Sequence, residues 1–261
     1  MNTKLSLSIC LGIIAGSMGL ATSAQAFSFT TNFTEKLTGN DAAKGNIWLN
    51  SVEFGETTVN NFGLVNRVNI LHNDPWTGGN TGAASADRGV LADGFVEEAL
   101  TNEGAVKALG NLNLNNIIDG EDKGAFSMNL WFNQRVDNLF FWERGLNSAM
   151  DIQAIDKFGN SIGNLLRINK NTWVDAGFKI HTTEIGGAQG VGSWGVSLAD
   201  LGLSSAIAGI RVSAEGTSVF NGPDWKVVGS AAVPEPGMVM GLGAIASGLL
   251  VSNRRKKAQK G

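Results

Sequence analysis

Short runs of alternating apolar and polar residues, separated by glycine and asparagine, constrain the fold of this chain more than any other feature. Phe126, Met128, Leu130 and Phe132 alternate with other residues, which predicts a strand with one apolar face. A continuous apolar run follows and ends at Glu143-Arg144, which we expect to be an ion pair at a surface or sheet edge. Other short runs predict strands at residues 47–54, 65–71, 150–154, 165–168, 173–182, 194–198, 210–214 and 225–228. Residues 156–160 are typical of a hairpin connection.

One stretch between the two ends of the chain favours a helix. It covers residues 95–100 and continues to Val106 and Leu109, with Gly104 inside it, so one helix or two short ones would fit. Residues 74–94 and 111–124 have a composition typical of loops and turns. About ten strands and one short helical patch predict an all-β fold, an antiparallel β-sandwich of jelly-roll type.

The C-terminal segment, residues 233–261, has three parts in order. Pro234-Glu235-Pro236 can continue neither a helix nor a strand ladder, so it predicts an extended, accessible segment. The uncharged run at residues 237–253 would be roughly 26 Å long as a helix, slightly less than the hydrocarbon core of a bilayer. It predicts a short transmembrane helix; a buried core helix is the alternative. Four cations follow that would hold this end on the cytoplasmic side, namely Arg254, Arg255, Lys256 and Lys257.

This order of parts closely resembles the PEP-CTERM sorting signal of bacterial surface proteins. In that family the membrane protease-transpeptidase exosortase recognises the tripeptide and removes the tail. The resemblance implies that Pro234, Glu235 and Pro236 are the recognition element, residues 237–251 a temporary inner-membrane anchor, and residues 254–257 the membrane stop. Residues 110–120, 137–145 and 193–201 also resemble exosortase-dependent surface proteins of cyanobacteria. This second resemblance supports a surface location and carries no catalytic residue.

The N-terminal segment is typical of a secretory signal peptide. Lys4 precedes an apolar run, and Ala24-Gln25-Ala26 is a small-x-small site for signal peptidase, so we expect the mature chain to begin at Phe27. The only cysteine, Cys10, lies in the segment that would be removed. The exported protein would then have neither a disulfide nor a thiol, which excludes cysteine catalysis and cysteine-ligated metal.

These two signals divide the chain into three predicted regions: a signal peptide at 1–26, a β-sandwich surface domain at 27–232, and the sorting signal at 233–261. The net charge of the whole chain, −3, conceals an asymmetry. Removing Lys4 and the five tail cations from 20 Lys and Arg leaves 14 against 23 Asp and Glu, which is a net charge of about −9. So acidic a chain argues against nucleic acid or an anionic membrane surface as its main partner.

Residues that could carry chemistry are few. His72 and His181, the two histidines, lie on predicted strands and fit ordinary strand positions better than catalytic ones. No His-Glu-x-x-His helix occurs. Residues 190–195 match G-x-G-x-x-G, but without a βαβ unit we interpret them as a loop and not as a dinucleotide site. We therefore predict that the protein is not an enzyme.

Two sets of residues are candidates for ligand contact. Asp119, Glu121 and Asp122 form a compact acidic turn that would suit calcium, although a solvated turn explains them as well. Trp76, in a loop, and Trp131, on the polar face of its strand, are the tryptophans that we expect to be exposed and able to stack on sugar rings. No cofactor is expected apart from this candidate calcium.

Two functional hypotheses follow. The first is a non-enzymatic surface or extracellular-matrix protein that is exported, processed by exosortase and associated with extracellular polysaccharide. The second is a secreted carbohydrate-binding or carbohydrate-active protein, calcium-dependent if the acidic turn is a metal site. The tail and the signal peptide motivate the first, and the acidic turn with Trp76 and Trp131 motivates the second.

Overall fold

A computed structural model describes residues 27–36, 41–76 and 84–231 of the 261-residue chain. The two predicted export segments lie outside the described residues; they include Ala24, Ala26, Pro234, Glu235, Pro236, Arg254, Arg255, Lys256 and Lys257. Within the described ranges no helix has the length and apolar character needed to cross a membrane.

The described residues form an antiparallel β architecture with one short helix, consistent with an all-β sandwich. The helix, α1, is Asn102–Leu109. The strands are β1 Thr30–Lys36, β2 Asn46–Phe54, β3 Thr57–Val59, β4 Phe62–Gly63, β5 Val65–Asn73, β6 Ala84–Arg88, β7 Asn116–Gly120, β8 Phe126–Arg144, β9 Met150–Ile155, β10 Ser161–Ile168, β11 Val174–Ile180, β12 Gln189–Ser197, β13 Ile207–Ala214 and β14 Trp225–Ala231.

Strand β8, with 19 residues, organises the fold because it pairs with four other strands. Its first half pairs with β5 and β13, and its second half pairs with β12 and β14. Beyond β14, the strands β7 and β6 extend the same sheet. Strands β1, β2 and β3 form a separate three-stranded sheet.

Two hydrophobic clusters lie on the two faces of β8 because its side chains alternate. Phe141 belongs to the larger cluster with Trp225, whereas Phe140 and Trp142 belong to the smaller one. Burial of apolar area in these clusters supplies most of the stabilisation, since no cysteine lies between residues 27 and 231.

The predicted strands and one hairpin are confirmed. Met128, Leu130 and Phe132 are buried on one face of β8 as their alternation predicted. The turn at residues 156–160 connects the antiparallel strands β9 and β10.

The predicted helix is only half right, because residues 95–100 are not helical. The Thr101 side chain accepts a hydrogen bond from the Gly104 amide at 3.0 Å and sets the start of α1. Strand β6 lies within residues 74–94, which we predicted to be a loop, and β7 lies within the predicted turns at 111–124. The G-x-G-x-x-G segment lies in β12 and not in a loop.

Candidate functional site: an acidic cleft around Arg144

The last residue of β8, Arg144, lies among carboxylates from neighbouring strands. Sheet order places β14 beside β8, and then β7 and β6. Asp224 immediately precedes β14, Asp119 is on β7 and Asp87 is on β6. One edge of the sheet therefore brings three acidic side chains to one arginine.

Arg144 is 2% exposed and donates to all three carboxylates. Its Nε lies 3.0 Å and its Nη2 2.7 Å from Asp224 Oδ2, and the same Nη2 lies 2.7 Å from Asp119 Oδ2. Its Nη1 lies 3.4 Å from Asp87 Oδ2 and also donates to the Thr182 hydroxyl. Burial alone would lower the pKa of Arg144, but the negative charges of Asp224 and Asp119 outweigh it and raise the pKa.

A sequence-based expectation is corrected here: Glu143 and Arg144 are neither exposed nor paired with each other as a salt bridge. Consecutive residues of a strand point to opposite faces, so Glu143 faces away from the carboxylates that Arg144 binds. Burial raises the pKa of Glu143 to about 8, and it is therefore mostly neutral at pH 7.

An open cleft of about 820 Å³ lies over this cluster. Two of the predicted sets of residues meet there, because Asp119, Glu121, Asp122 and Trp76 all line it. Trp76 Nε1 donates to Glu121 Oε1 at 3.3 Å. Burial and the nearby charge of Asp119 raise the pKa of Glu121, while the hydrogen bond from Trp76 opposes that shift.

The cleft contains more negative charge than Arg144 neutralises. Glu184, exposed at the cleft, has its pKa raised to about 8 by partial burial and then by Asp119 and Asp87. Protons or a cation would relieve this repulsion.

Asp87, Asp119 and Glu184 are the residues that could hold a cation. One carboxylate oxygen of each lies within 4.8 Å of the others, and carboxylate oxygens are the ligands that calcium prefers. Only Asp119 of these three belongs to the predicted acidic turn, whereas Glu121 and Asp122 line the cleft beside it.

Trp131 is not part of this cleft, and the expectation that it is exposed was wrong. It is 8% exposed because the Arg67 guanidinium lies 3.6 Å above its ring. Its Nε1 donates to the Asp156 carbonyl oxygen at 3.1 Å.

The sequence analysis missed Asp87, Glu184 and Asp224 as members of the site. Their places depend on strand order, since Asp87 and Asp224 are 57 and 80 residues from Arg144 along the chain. One signal was present: a charged residue that ends a continuous apolar run is a candidate for burial with partners.

Comparison with known proteins gives no relative for this chain: no family model, no curated protein and no solved structure matches it significantly.

Proposed function

We propose that this chain is a non-enzymatic, exported cell-surface or extracellular-matrix protein that is processed by exosortase. The observation that carries the proposal is the ordered tail, with Pro234-Glu235-Pro236 followed by an uncharged run and then by four cations. Signal peptidase would cut after Ala26, and residues 237–251 would hold the intermediate in the inner membrane until the tail is removed.

The cargo between the two signals supports the same proposal. A cysteine-free β domain with a net charge of about −8 suits an extracellular location, where solvation by charge maintains solubility. A sandwich of the jelly-roll type is the framework that we propose for it, and extracellular polysaccharide is its proposed partner.

Deletion of Pro234–Pro236 tests the role of exosortase. We expect the variant to accumulate uncleaved in the inner membrane fraction, with the tail still attached. The matched control deletes the three residues that follow the basic cluster, 258–260, and should be processed as the unaltered chain is. Normal maturation of the first variant would refute the proposal.

Glycan binding at the acidic cleft is the second candidate function, and a specific observation favours it. Trp76 is half-buried in the wall of the cleft, next to Glu121, so a sugar would meet an aromatic ring and carboxylate acceptors together. The Asp87, Asp119 and Glu184 oxygens offer a place for calcium in the same cleft.

A glycan array with the full chain in detergent tests this candidate, with and without a chelator. We expect binding that Trp76→Ala removes and that Trp48→Ala, at an exposed tryptophan outside the cleft, leaves unchanged. If calcium binds in the cleft, adding calcium should raise the Tm of the unaltered chain. It should not change the Tm of Glu184→Gln, which lacks one of the three carboxylates. A chain that binds no glycan would eliminate the candidate.

A further inference from the structure

A second concave surface, at the other half of β8 from the acidic cleft, has the opposite charge. Three cations line this groove of about 590 Å³, namely Arg67 on β5, Arg135 on β8 and Lys157 in the β9–β10 turn. No carboxylate lines it, and among the described residues none of the three cations forms a salt bridge. An acidic protein thus holds three unneutralised cations together.

The cations are held in place by neutral groups. The Arg67 guanidinium lies over the Trp131 ring, 3.6 Å from its centroid, and donates through Nη2 to the Lys157 carbonyl oxygen at 3.1 Å. Arg135 donates to the Ala206 carbonyl oxygen. The Trp131 indole fixes the turn through the Asp156 carbonyl oxygen. The charged groups are therefore ordered without an anion from the chain, an arrangement that lowers the entropic cost of binding one.

Asp156 lines the depression beside the groove, but its carboxylate is already hydrogen-bonded within its own turn. Its carboxylate accepts hydrogen bonds from the Phe158 and Asn160 amides at 2.8 and 2.9 Å and from Asn160 Nδ2 at 2.9 Å. These bonds, with Asn160 first, lower the pKa of Asp156. The carboxylate turns into its own hairpin and does not pair with the groove cations.

The groove continues past the hairpin, which makes an extended ligand a better fit than a small ion. A second depression, of about 360 Å³, shares Arg135, Lys157 and Ala208 with the first. Phe158, 76% exposed, stands at its wall, with Lys157 Nζ 4.8 Å above the ring. Cations and an exposed aromatic ring along one path suit carboxylates carried on sugar rings.

We propose that this groove binds a linear anionic polysaccharide, one that carries carboxylate groups on its sugar rings. Nucleic acid is disfavoured relative to a polymer with one carboxylate per sugar ring, because its denser charge would be repelled more strongly by a chain whose net charge outside the groove is negative. The extracellular origin of the polymer depends on the proposed surface location. The groove and its charge are independent of that proposal.

Binding of polygalacturonate to the full chain, purified in mild detergent, tests this assignment. We expect saturable binding that weakens with added salt, with no binding of neutral dextran. The double variant Arg135→Gln/Lys157→Gln should weaken the affinity for polygalacturonate by about tenfold or more, since each substitution removes one positive charge from the groove. Lys170→Gln/Lys179→Gln removes two exposed cations outside the groove and should change affinity by less than about twofold.

The first variant leaves Arg67 over Trp131 and keeps the Lys157 carbonyl oxygen, and the Arg135–Ala206 hydrogen bond that it loses is exposed, so its unfolding midpoint should lie close to that of the control. The proposal is overturned if polygalacturonate fails to bind, if dextran binds as well, or if both double variants lose affinity equally. Tighter binding of single-stranded DNA would assign the groove to nucleic acid instead and would also overturn it. Because this test uses purified chain, its failure would leave the processing test of the proposed function unaffected.

Discussion

Arg144 illustrates how a single buried charge can join four strands. Its guanidinium binds carboxylates from three chain segments and so connects the end of β8 to β14, β7 and β6. A buried ion network is not by itself strong evidence for stability, because desolvation opposes the attraction. Removing Arg144 from the network would nevertheless be destabilising, because the remaining carboxylates would be left buried and unpaired.

Arg144→Met should therefore lower the free energy of unfolding by about 3 to 5 kcal/mol. Lys44→Met is the control, because Lys44 and Asp41 form an exposed pair at 3.4 Å whose loss should cost less than about 1 kcal/mol. Urea unfolding followed by tryptophan fluorescence measures both. Equal effects of the two substitutions would mean that the Arg144 network contributes nothing special.

Glu143 predicts a pH dependence of stability. Its folded pKa, raised to about 8 by burial, exceeds its ordinary value of 4.5, so between these values the folded state binds more protons. The stability that the neutral form provides is complete below pH 4.5 and is lost as pH rises through about 8.

Glu143→Gln keeps the shape and removes this titration. Relative to the unaltered chain, the variant should gain stability as pH rises from 5 to 8, on the order of 3 kcal/mol at the upper end. Burial lowers the pKa of Lys226 to about 7, so its contribution makes the folded state more stable as pH rises above 7, opposite to that of Glu143. Lys226 is present in both chains, so its contribution cancels in the comparison. Glu56→Gln, at an exposed position, is the control, and its stability relative to the unaltered chain should stay constant across this pH range. A constant relative stability for Glu143→Gln would contradict the prediction.

At the scale of elements, β8 changes partners near Val136, and two glycines make room for it. A Cβ on Gly63 or on Gly229 would lie 2.4 Å from Val136 Cγ1. The alternation of β8 was readable from the sequence, as was the hairpin at 156–160. The partner exchange was not, because it depends on close approach between strands that are far apart in the chain.

Gly63→Ala should destabilise the fold by about 1 to 3 kcal/mol through this overpacking. The cost should be smaller in a Val136→Ala background, since the clashing methyl group is then absent. Gly186→Ala, where a Cβ meets nothing within 4 Å, is the matched control and should have little effect. Thermal unfolding of the four variants gives the coupling, and additive effects would contradict the proposed contact.

Sequence reasoning failed at elements where local composition and tertiary pairing disagree. Residues 84–88 look like loop because alanine and aspartate are poor strand formers, yet Ala84–Arg88 pairs with β7 along its whole length. The cleft was predicted in pieces: Trp76 and the acidic turn were both named, but nothing local indicates that Asp87 and Asp224 join them around Arg144.

At the scale of the whole molecule, the two halves of β8 present surfaces of opposite charge. The acidic cleft lies where β8 ends at Arg144, and the cationic groove lies near Trp131 and Arg135. Such a separation keeps a ligand of one charge away from the other surface. We accordingly expect cation and anionic glycan, if both bind, to do so independently.

The proposed function requires that this β-rich chain is exported and loses a signal at each end. The intact mass of the protein recovered from the cell surface reports both cleavages in one measurement. We expect a species that begins at Phe27 and lacks residues 237–261, with any lipid or glycan visible as added mass. A surface species that retains Lys4 or Arg254 would contradict it.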